Sequence, residues 1–164
     1  MKINVYQVDA FANKPFEGNP AAICPLAEWL PEQTMQALAA ENNLSETAFF
    51  VPEGDGFALR WFTPATEVDL CGHATLAAAY VLFEELDYQA EEIRFSTRSG
   101  TLSVSRSGDF LRMDFPAQPP IPFALPVQLV EAFGATPEAC LKLADIVAVF
   151  SSEPLVRAVD PYIL

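Results

Sequence analysis

Basic residues are scarce in this sequence, and histidine is almost absent. The 164 residues include nine Lys and Arg against 22 Asp and Glu, which gives a formal net charge of −13 at pH 7, and His73 is the single histidine. Proteins that bind nucleic acids neutralise phosphates with a basic surface, so this charge balance argues against a nucleic-acid partner. The acidic surplus favours solubility and says little else about function.

Long apolar runs are also missing. No stretch approaches the ~20 apolar residues that a membrane-spanning helix needs, and the first residues lack the hydrophobic stretch of a signal peptide. We therefore expect no membrane partner and a cytoplasmic location. Hydrophobic residues nevertheless make up 51% of the chain, which is enough for a globular protein with an ordinary core.

The three cysteines, Cys24, Cys71 and Cys140, are too few and too widely spaced for a disulfide framework. None of them belongs to a CxxC pair or to the Cys and His spacing of a zinc site. We therefore expect free thiols and no bound metal.

Alternating apolar and polar residues predict strands over 3–8, 93–97, 101–105 and 110–115, and short apolar runs next to turn residues predict strands over 21–24, 46–51 and 57–62. Helices are predicted over 31–42 and from Gly72 to about Leu86. The second helix is rich in alanine and has too few polar positions to face water. We therefore predict an α+β fold, in which a curved, mainly antiparallel, barrel-like sheet wraps around this central helix.

A change in composition predicts the domain boundary. Residues 1–115 form the predicted first domain, and five prolines within 116–126 predict an extended linker. The remaining residues predict a helix near 127–133, another helix from Thr136, a strand over 146–150 and a short helix from Ser152. Because one strand cannot form a sheet, 127–164 either completes the first domain or begins a second, incomplete one.

The segment Glu67–Thr75 combines a glycine with the only histidine at the predicted start of the second helix. The first turn of a helix leaves backbone N–H groups unpaired, and its dipole favours negative charge, so Gly72 and His73 could bind a carboxylate. In the alternative interpretation, Gly72 ends a strand and His73 caps the helix or packs against a neighbour.

Glu46 lies between Ser45 and Thr47 at the start of an apolar strand. Burial of a glutamate raises its pKa and suits it to proton transfer near neutral pH. The alternative is a turn glutamate that faces water.

Taken in order, four segments resemble the phenazine-biosynthesis PhzF-like family of isomerases: Val8–Phe11, Phe16–Ala22, Asn43–Phe49 and Arg60–Thr75. The resemblance implies two domains related to diaminopimelate epimerase, each with a barrel-like sheet around a helix, and an active site in the cleft between them. It also implies cofactor-independent proton transfer on a small carboxylate-bearing metabolite, without a metal. A homodimer is a further expectation.

The resemblance also implies roles for individual residues. Glu46 would be the general acid/base, while Gly72 and His73 would hold the substrate, and Ser45 and Asn19 would lie in the same pocket. Family members continue beyond the length of this chain, so the resemblance covers a first domain and the start of a second. We therefore expect the 164-residue form to be impaired, because Glu46 and His73 would face solvent instead of a closed cleft.

Two other functions remain open. Cys71-Gly72-His73 is also similar to the cysteine motif of proline racemases, whose chemistry needs a thiolate on each face of the substrate carbon. A non-catalytic binding or assembly domain is the second alternative, because a missing partner domain would leave apolar surface exposed.

Overall fold

The computed structural model describes residues 2–14, 17–143 and 145–160. Two units, Met1–Phe115 and Pro116–Leu164, have separate sets of internal contacts. Within the described residues, no helix is both long enough and apolar enough to cross a membrane.

The first unit is built on one curled, mixed sheet. Its strands are β1 (Tyr6–Ala10), β2 (Asn19–Pro25), β3 (Glu46–Glu53), β4 (Gly56–Phe62), β5 (Glu67–Val68), β6 (Glu92–Thr97), β7 (Gly100–Ser107) and β8 (Phe110–Asp114). The sheet order is β1-β2-β3-β4-β6-β7-β8, and β5 pairs with β4. Two pairs, β2 with β3 and β4 with β6, are parallel, and the others are antiparallel.

Each of the two helices of this unit packs on its own hydrophobic cluster. Helix α2 (Gly72–Tyr80) continues into a π-helical turn, Val81–Glu85. Its buried alanines contact the larger cluster, whose bulkiest members include Trp61 and Phe95. Small side chains let the helix approach the sheet closely. The α+β fold with a curled sheet around an alanine-rich helix is therefore confirmed.

Helix α1 (Glu32–Asn42) covers a second, smaller cluster. It buries Met35 and Ala39 against Cys24, Phe49 and Phe62. Neighbouring residues of a strand point to opposite faces of a sheet. For this reason Ile23 contributes to the cluster around α2, whereas Cys24 contributes to the cluster under α1.

Most strand bounds differ from the sequence predictions by one or two residues, and the largest differences are at β1 and at the helix predicted from Thr136. β1 begins at Tyr6 instead of Ile3 and extends to Ala10. The helix predicted from Thr136 is wrong, because the chain there forms a strand, β10 (Ala139–Lys142). Cys140 is buried and its neighbour Ala139 is exposed, because neighbouring residues of a strand face opposite sides of a sheet. β10 pairs with one strand on each side.

The second unit contains two further strands, β9 (Ile121–Pro122) and β11 (Ile146–Val149), and two helices, α3 (Val127–Phe133) and α4 (Glu153–Ala158). Its strands form a three-stranded antiparallel sheet in the order β11-β10-β9. The proline-rich segment is thus partly a strand, and β11 does not stand alone. Pro122 is accommodated because β9 lies at the edge of this sheet, where a missing N–H is tolerated.

Close packing around α2 predicts that enlarging one of its alanines will destabilise the protein. Ala78 is fully buried, and overpacking of a core costs about 1–3 kcal/mol. Ala78→Leu should therefore lower the free energy of unfolding, measured by urea denaturation. Ala40→Leu, on the exposed side of α1, is the matched control and should change stability little. Equal effects of the two substitutions would contradict close packing of α2.

Candidate active site

The amino ends of β2, β3 and α2 supply the residues of the candidate site. β2 and β3 run parallel, with Ala21 opposite Glu46, so both strands begin at the same edge of the sheet. At this edge Ser45 Oγ donates a hydrogen bond to Asn19 Oδ1 over 3.2 Å. The pair joins the loop before β3 to the first residue of β2.

The turn between α1 and β3 fixes where Glu46 enters the sheet. Asn43 ends α1 in the left-handed conformation with φ 51°, which asparagine tolerates better than most residues. Asn42 Nδ2 donates a hydrogen bond to Thr47 Oγ1 over 3.1 Å, and Thr47 is buried. These contacts hold the backbone on both sides of Glu46.

Glu46 and His73 meet inside this site. Glu46 Oε2 lies 3.1 Å from His73 Nε2, and the two side chains are 19% and 10% exposed. Both atoms are buried, yet neither forms a hydrogen bond of acceptable angle with any described residue. The close approach is therefore a contact without an aligned bond. Each atom retains an unused capacity to bind a further group.

Cys71 is the third side chain at this point. It precedes α2 in an extended conformation, and its Sγ lies 3.5 Å from His73 Nδ1. Burial raises the pKa of the thiol to about 12, the backbone N–H of Ala74 opposes this rise, and the carboxylate of Glu46 adds to it. The Cys71 thiol is therefore protonated at neutral pH.

The first turn of α2 offers backbone donors beside these side chains. The N–H of Thr75 bonds to Cys71 O over 3.3 Å, which closes the first turn. The three preceding N–H groups, of Gly72, His73 and Ala74, have no partner within the helix. A Cβ on Gly72 would meet nothing closer than Phe115 Cζ at 3.9 Å. The backbone conformation at position 72 therefore does not require glycine. The absence of a side chain there leaves the space beside the first turn of α2 open.

The five candidate residues fall into two contacting pairs and one neighbour. Glu46 contacts His73, Ser45 bonds to Asn19, and Gly72 adjoins His73 in the chain. The sequence interpretation did not include Cys71 in this group. Its position two residues before His73 was the available signal, but the approach to Glu46 depends on the fold.

A separate groove of about 640 Å³ lies where β1, α2 and β8 face one another. Leu76 and Tyr80 of α2 line it together with Phe11 and Phe110. Both phenylalanines are largely exposed, at 67% and 77%. The groove contains none of the candidate site residues.

Residues 8–154 match the family described as phenazine biosynthesis-like protein. The chain belongs to this family. A Pseudomonas aeruginosa protein named an uncharacterized isomerase is 54% identical over 161 residues, which are 98% of this chain and 62% of that protein. Membership confirms the resemblance drawn from the four sequence segments.

Solved structures of similar proteins agree with this family assignment. The crystal structure of a phenazine biosynthesis protein PhzF family member from Enterococcus faecalis superimposes with a TM-score of 0.92 at 44% identity, covering 98% of this chain and 62% of that one. A predicted epimerase from Pseudomonas aeruginosa shares the fold, with a TM-score of 0.72 at 23% identity over 98% of this chain and 64% of its own. The chain thus spans 62% of the length of the Pseudomonas aeruginosa protein named an isomerase and 62% of the Enterococcus faecalis protein.

The raised thiol pKa values predict slow alkylation of the native protein. Burial raises the pKa of Cys24, like that of Cys71, to about 12. At pH 8 such a thiol is ~10⁻⁴ ionised, against ~0.1 for an ordinary one, so iodoacetamide should react about a thousandfold more slowly. Peptide mass spectrometry after timed labelling measures the rate at each cysteine.

The unfolded protein is the control for this measurement. In denaturant, all three cysteines should react at the ordinary rate. In the native protein, the rates at Cys24 and Cys71 should rise about tenfold for each pH unit between 8 and 10, because only the thiolate reacts. Rapid native labelling of Cys71 at pH 8 would show that its thiolate is accessible and contradict a buried, protonated thiol.

Proposed function

We propose that this chain supplies the proton-transfer centre of a cofactor-independent isomerase that acts on a small carboxylate-bearing metabolite. The observation that carries the proposal is the contact between Glu46 and His73 at the amino end of α2. Because the relatives are longer, the proposal concerns the activity of a protein that contains a further cleft-forming part. The isomerase name of the 54% identical relative supports the reaction type.

Glu46 is the general acid/base in this proposal. Its carboxylate takes a proton from a substrate carbon, and the electron pair of the broken C–H bond moves into the conjugated system. The resulting carboxylic acid then returns the proton to another carbon of that system, which restores the carboxylate. No electron leaves the substrate, so the step needs no oxidant or reductant. A positioned acid/base of this kind contributes ~10²–10⁴-fold to rate.

The first turn of α2 holds the substrate carboxylate. The N–H groups of Gly72 and His73 provide donors, and the helix dipole favours the negative charge. The open space above Gly72 leaves room for the anion. Ser45 and Asn19, joined by their hydrogen bond, form the adjoining polar wall. Fixing the carboxylate in this way would bring a carbon of the substrate to Glu46.

A racemase mechanism with two thiols fits this arrangement less well. Cys24 and Cys71 belong to separate hydrophobic clusters on opposite faces of the sheet. The pKa of each thiol is raised to about 12, which disfavours the thiolate that such chemistry requires. Retained activity in Cys71→Ala together with lost activity in Glu46→Gln would reject the two-thiol mechanism.

Proton exchange with solvent tests the role of Glu46. The protein is incubated in D₂O with a panel of small carboxylic acids that carry a C–H beside a double bond, and deuterium incorporation is measured by mass spectrometry. The longer Pseudomonas aeruginosa relative identifies which acids exchange. We expect this chain to act on the same acids at a lower rate, because its site is open to water. Equal rates for the two proteins would contradict the expected impairment.

A matched pair of variants on β3 makes this test specific. Glu46→Gln should lower the exchange rate by ~10²–10⁴-fold, since the amide cannot accept the proton. Glu53→Gln alters an exposed carboxylate at the other end of the same strand and should leave the rate unchanged. Exchange that survives in Glu46→Gln would remove Glu46 from the mechanism.

The groove between β1 and β8 favours a second function, assembly, because it exposes Phe11 and Phe110 beside α2. Sedimentation over a range of concentrations tests assembly, which is compatible with catalysis by the same protein. A dimer that Phe110→Ser converts to a monomer would support assembly through the groove. A wild-type monomer at all concentrations would count against assembly.

A further inference from the structure

We propose that Glu46, Cys71 and His73 form a binding site for a thiophilic divalent cation such as Zn²⁺, and that the bound ion blocks proton transfer by Glu46. The three residues each offer one ligand atom, and these atoms lie within 4.8 Å of one another. The binding part of this proposal, the metal site itself, rests on the geometry alone. The inhibitory part, the block of proton transfer by the bound ion, rests on the proposed function.

The separations in the cluster suit one shared ion. Zn²⁺ binds carboxylate oxygen and imidazole nitrogen at about 2.0–2.2 Å, so two such ligands on a tetrahedral ion lie about 3.3 Å apart. Glu46 Oε2 and His73 Nε2 are 3.1 Å apart. The sulfur of Cys71 lies nearer the other ring nitrogen, 3.5 Å from Nδ1. The ligand atoms of the three residues lie within 4.8 Å of one another, so a rotation of the Cys71 side chain would bring the sulfur to an ion held between Oε2 and Nε2.

The unused hydrogen-bonding capacity of the site is independent support. Glu46 Oε2 and His73 Nε2 are buried and form no aligned hydrogen bond with the described residues. The His73 side chain is nine-tenths buried. Buried polar atoms in native proteins almost always have a partner, so a buried pair without one points to a water molecule or an ion as the missing partner. A cation between the two atoms would satisfy both.

The charges in the cluster also favour a dication. Glu46 and a Cys71 thiolate together carry two negative charges, which one Zn²⁺ neutralises. Binding breaks the S–H bond, forms the sulfur–metal bond and passes the proton to the buffer, so one proton leaves for each ion bound. The α2 dipole opposes a cation. Burial also raises the pKa of the Cys71 thiol, so the ion has to displace the thiol proton to form the sulfur–metal bond.

Three protein ligands would leave one coordination position open, as in catalytic zinc sites. The consequence here is inhibition, because the carboxylate oxygen that receives the proton is held by the ion. The sequence expectation of no metal site rests on the spacing of cysteine and histidine and on the family resemblance, neither of which includes a glutamate from another strand. In the folded chain, Glu46 comes from β3 and the other two ligands from the start of α2.

Equilibrium dialysis of the 164-residue chain against Zn²⁺ tests the binding part. We expect one strongly bound ion for each chain, with release of about one proton. Glu46→Gln, Cys71→Ser and His73→Gln should each weaken binding at least tenfold. The controls are Cys24→Ala and Cys140→Ser, which alter the two thiols outside the cluster and should leave affinity unchanged. Excess Mg²⁺ should not compete, because it prefers oxygen ligands.

Spectroscopy keeps the test informative if a variant folds poorly. Co²⁺ in place of Zn²⁺ should give a thiolate-to-metal charge-transfer band in the wild type, and the ¹⁵N resonances of the only imidazole should shift on addition of Zn²⁺. Absence of a strongly bound ion, or binding that none of the three ligand substitutions weakens, would overturn the site. Weak binding that Mg²⁺ abolishes would identify the acidic surface as the binder and also overturn it.

The deuterium-exchange assay tests inhibition separately. One equivalent of Zn²⁺ should stop exchange by the chain, and a chelator should restore it. Exchange that continues with the ion bound would refute the inhibitory part while leaving the site in place. A chain that binds the ion at this cluster but exchanges no proton in its absence would refute the proposed function and not the metal site.

Discussion

The arrangement of the first unit, Met1–Phe115, depends on the burial of the alanine-rich helix α2 inside a curled sheet. Alanine side chains are small enough for α2 to lie close against the larger cluster, and Ala74, Ala77 and Ala78 have almost no exposed surface. A helix buried along its length still has to bring its first-turn N–H groups to a place where they can be paired. In this fold the first turn lies beside the amino ends of β2 and β3. The requirements of the core therefore determine where the candidate site lies.

Much of the fold follows from the sequence because its signals are local. Helix α2 is indicated by its alanines, and the hairpin of β3 and β4 by two apolar runs on either side of a glycine-containing turn. The error at Thr136 has a different origin. A proline followed by a glutamate is a good helix start, but Ala139–Lys142 pairs with β11, the next strand in the chain, and with β9, which precedes it by about twenty residues. Tertiary pairing outweighed local preference at that point.

In the candidate site too, local sequence signals do not predict which side chains come close to one another. Ser45, Glu46 and His73 attract attention in the sequence because polar residues interrupt apolar segments. Their mutual distances cannot be obtained in that way, since the contact between Glu46 and His73 joins positions 27 residues apart. The sequence singles out Cys71 only through its likeness to a racemase motif. Its 3.5 Å separation from His73 Nδ1 is visible only in the fold.

The site combines features that favour opposite charges. The unpaired N–H groups of α2 attract an anion, whereas the carboxylate, thiol and imidazole in front of them are ligands for a cation. In the proposed function the first turn of α2 holds a carboxylate while the Cys71 thiol keeps its proton, and the raised pKa of that thiol favours this state. In the proposed metal site a thiophilic ion displaces the proton, and the same side chains bind a cation instead.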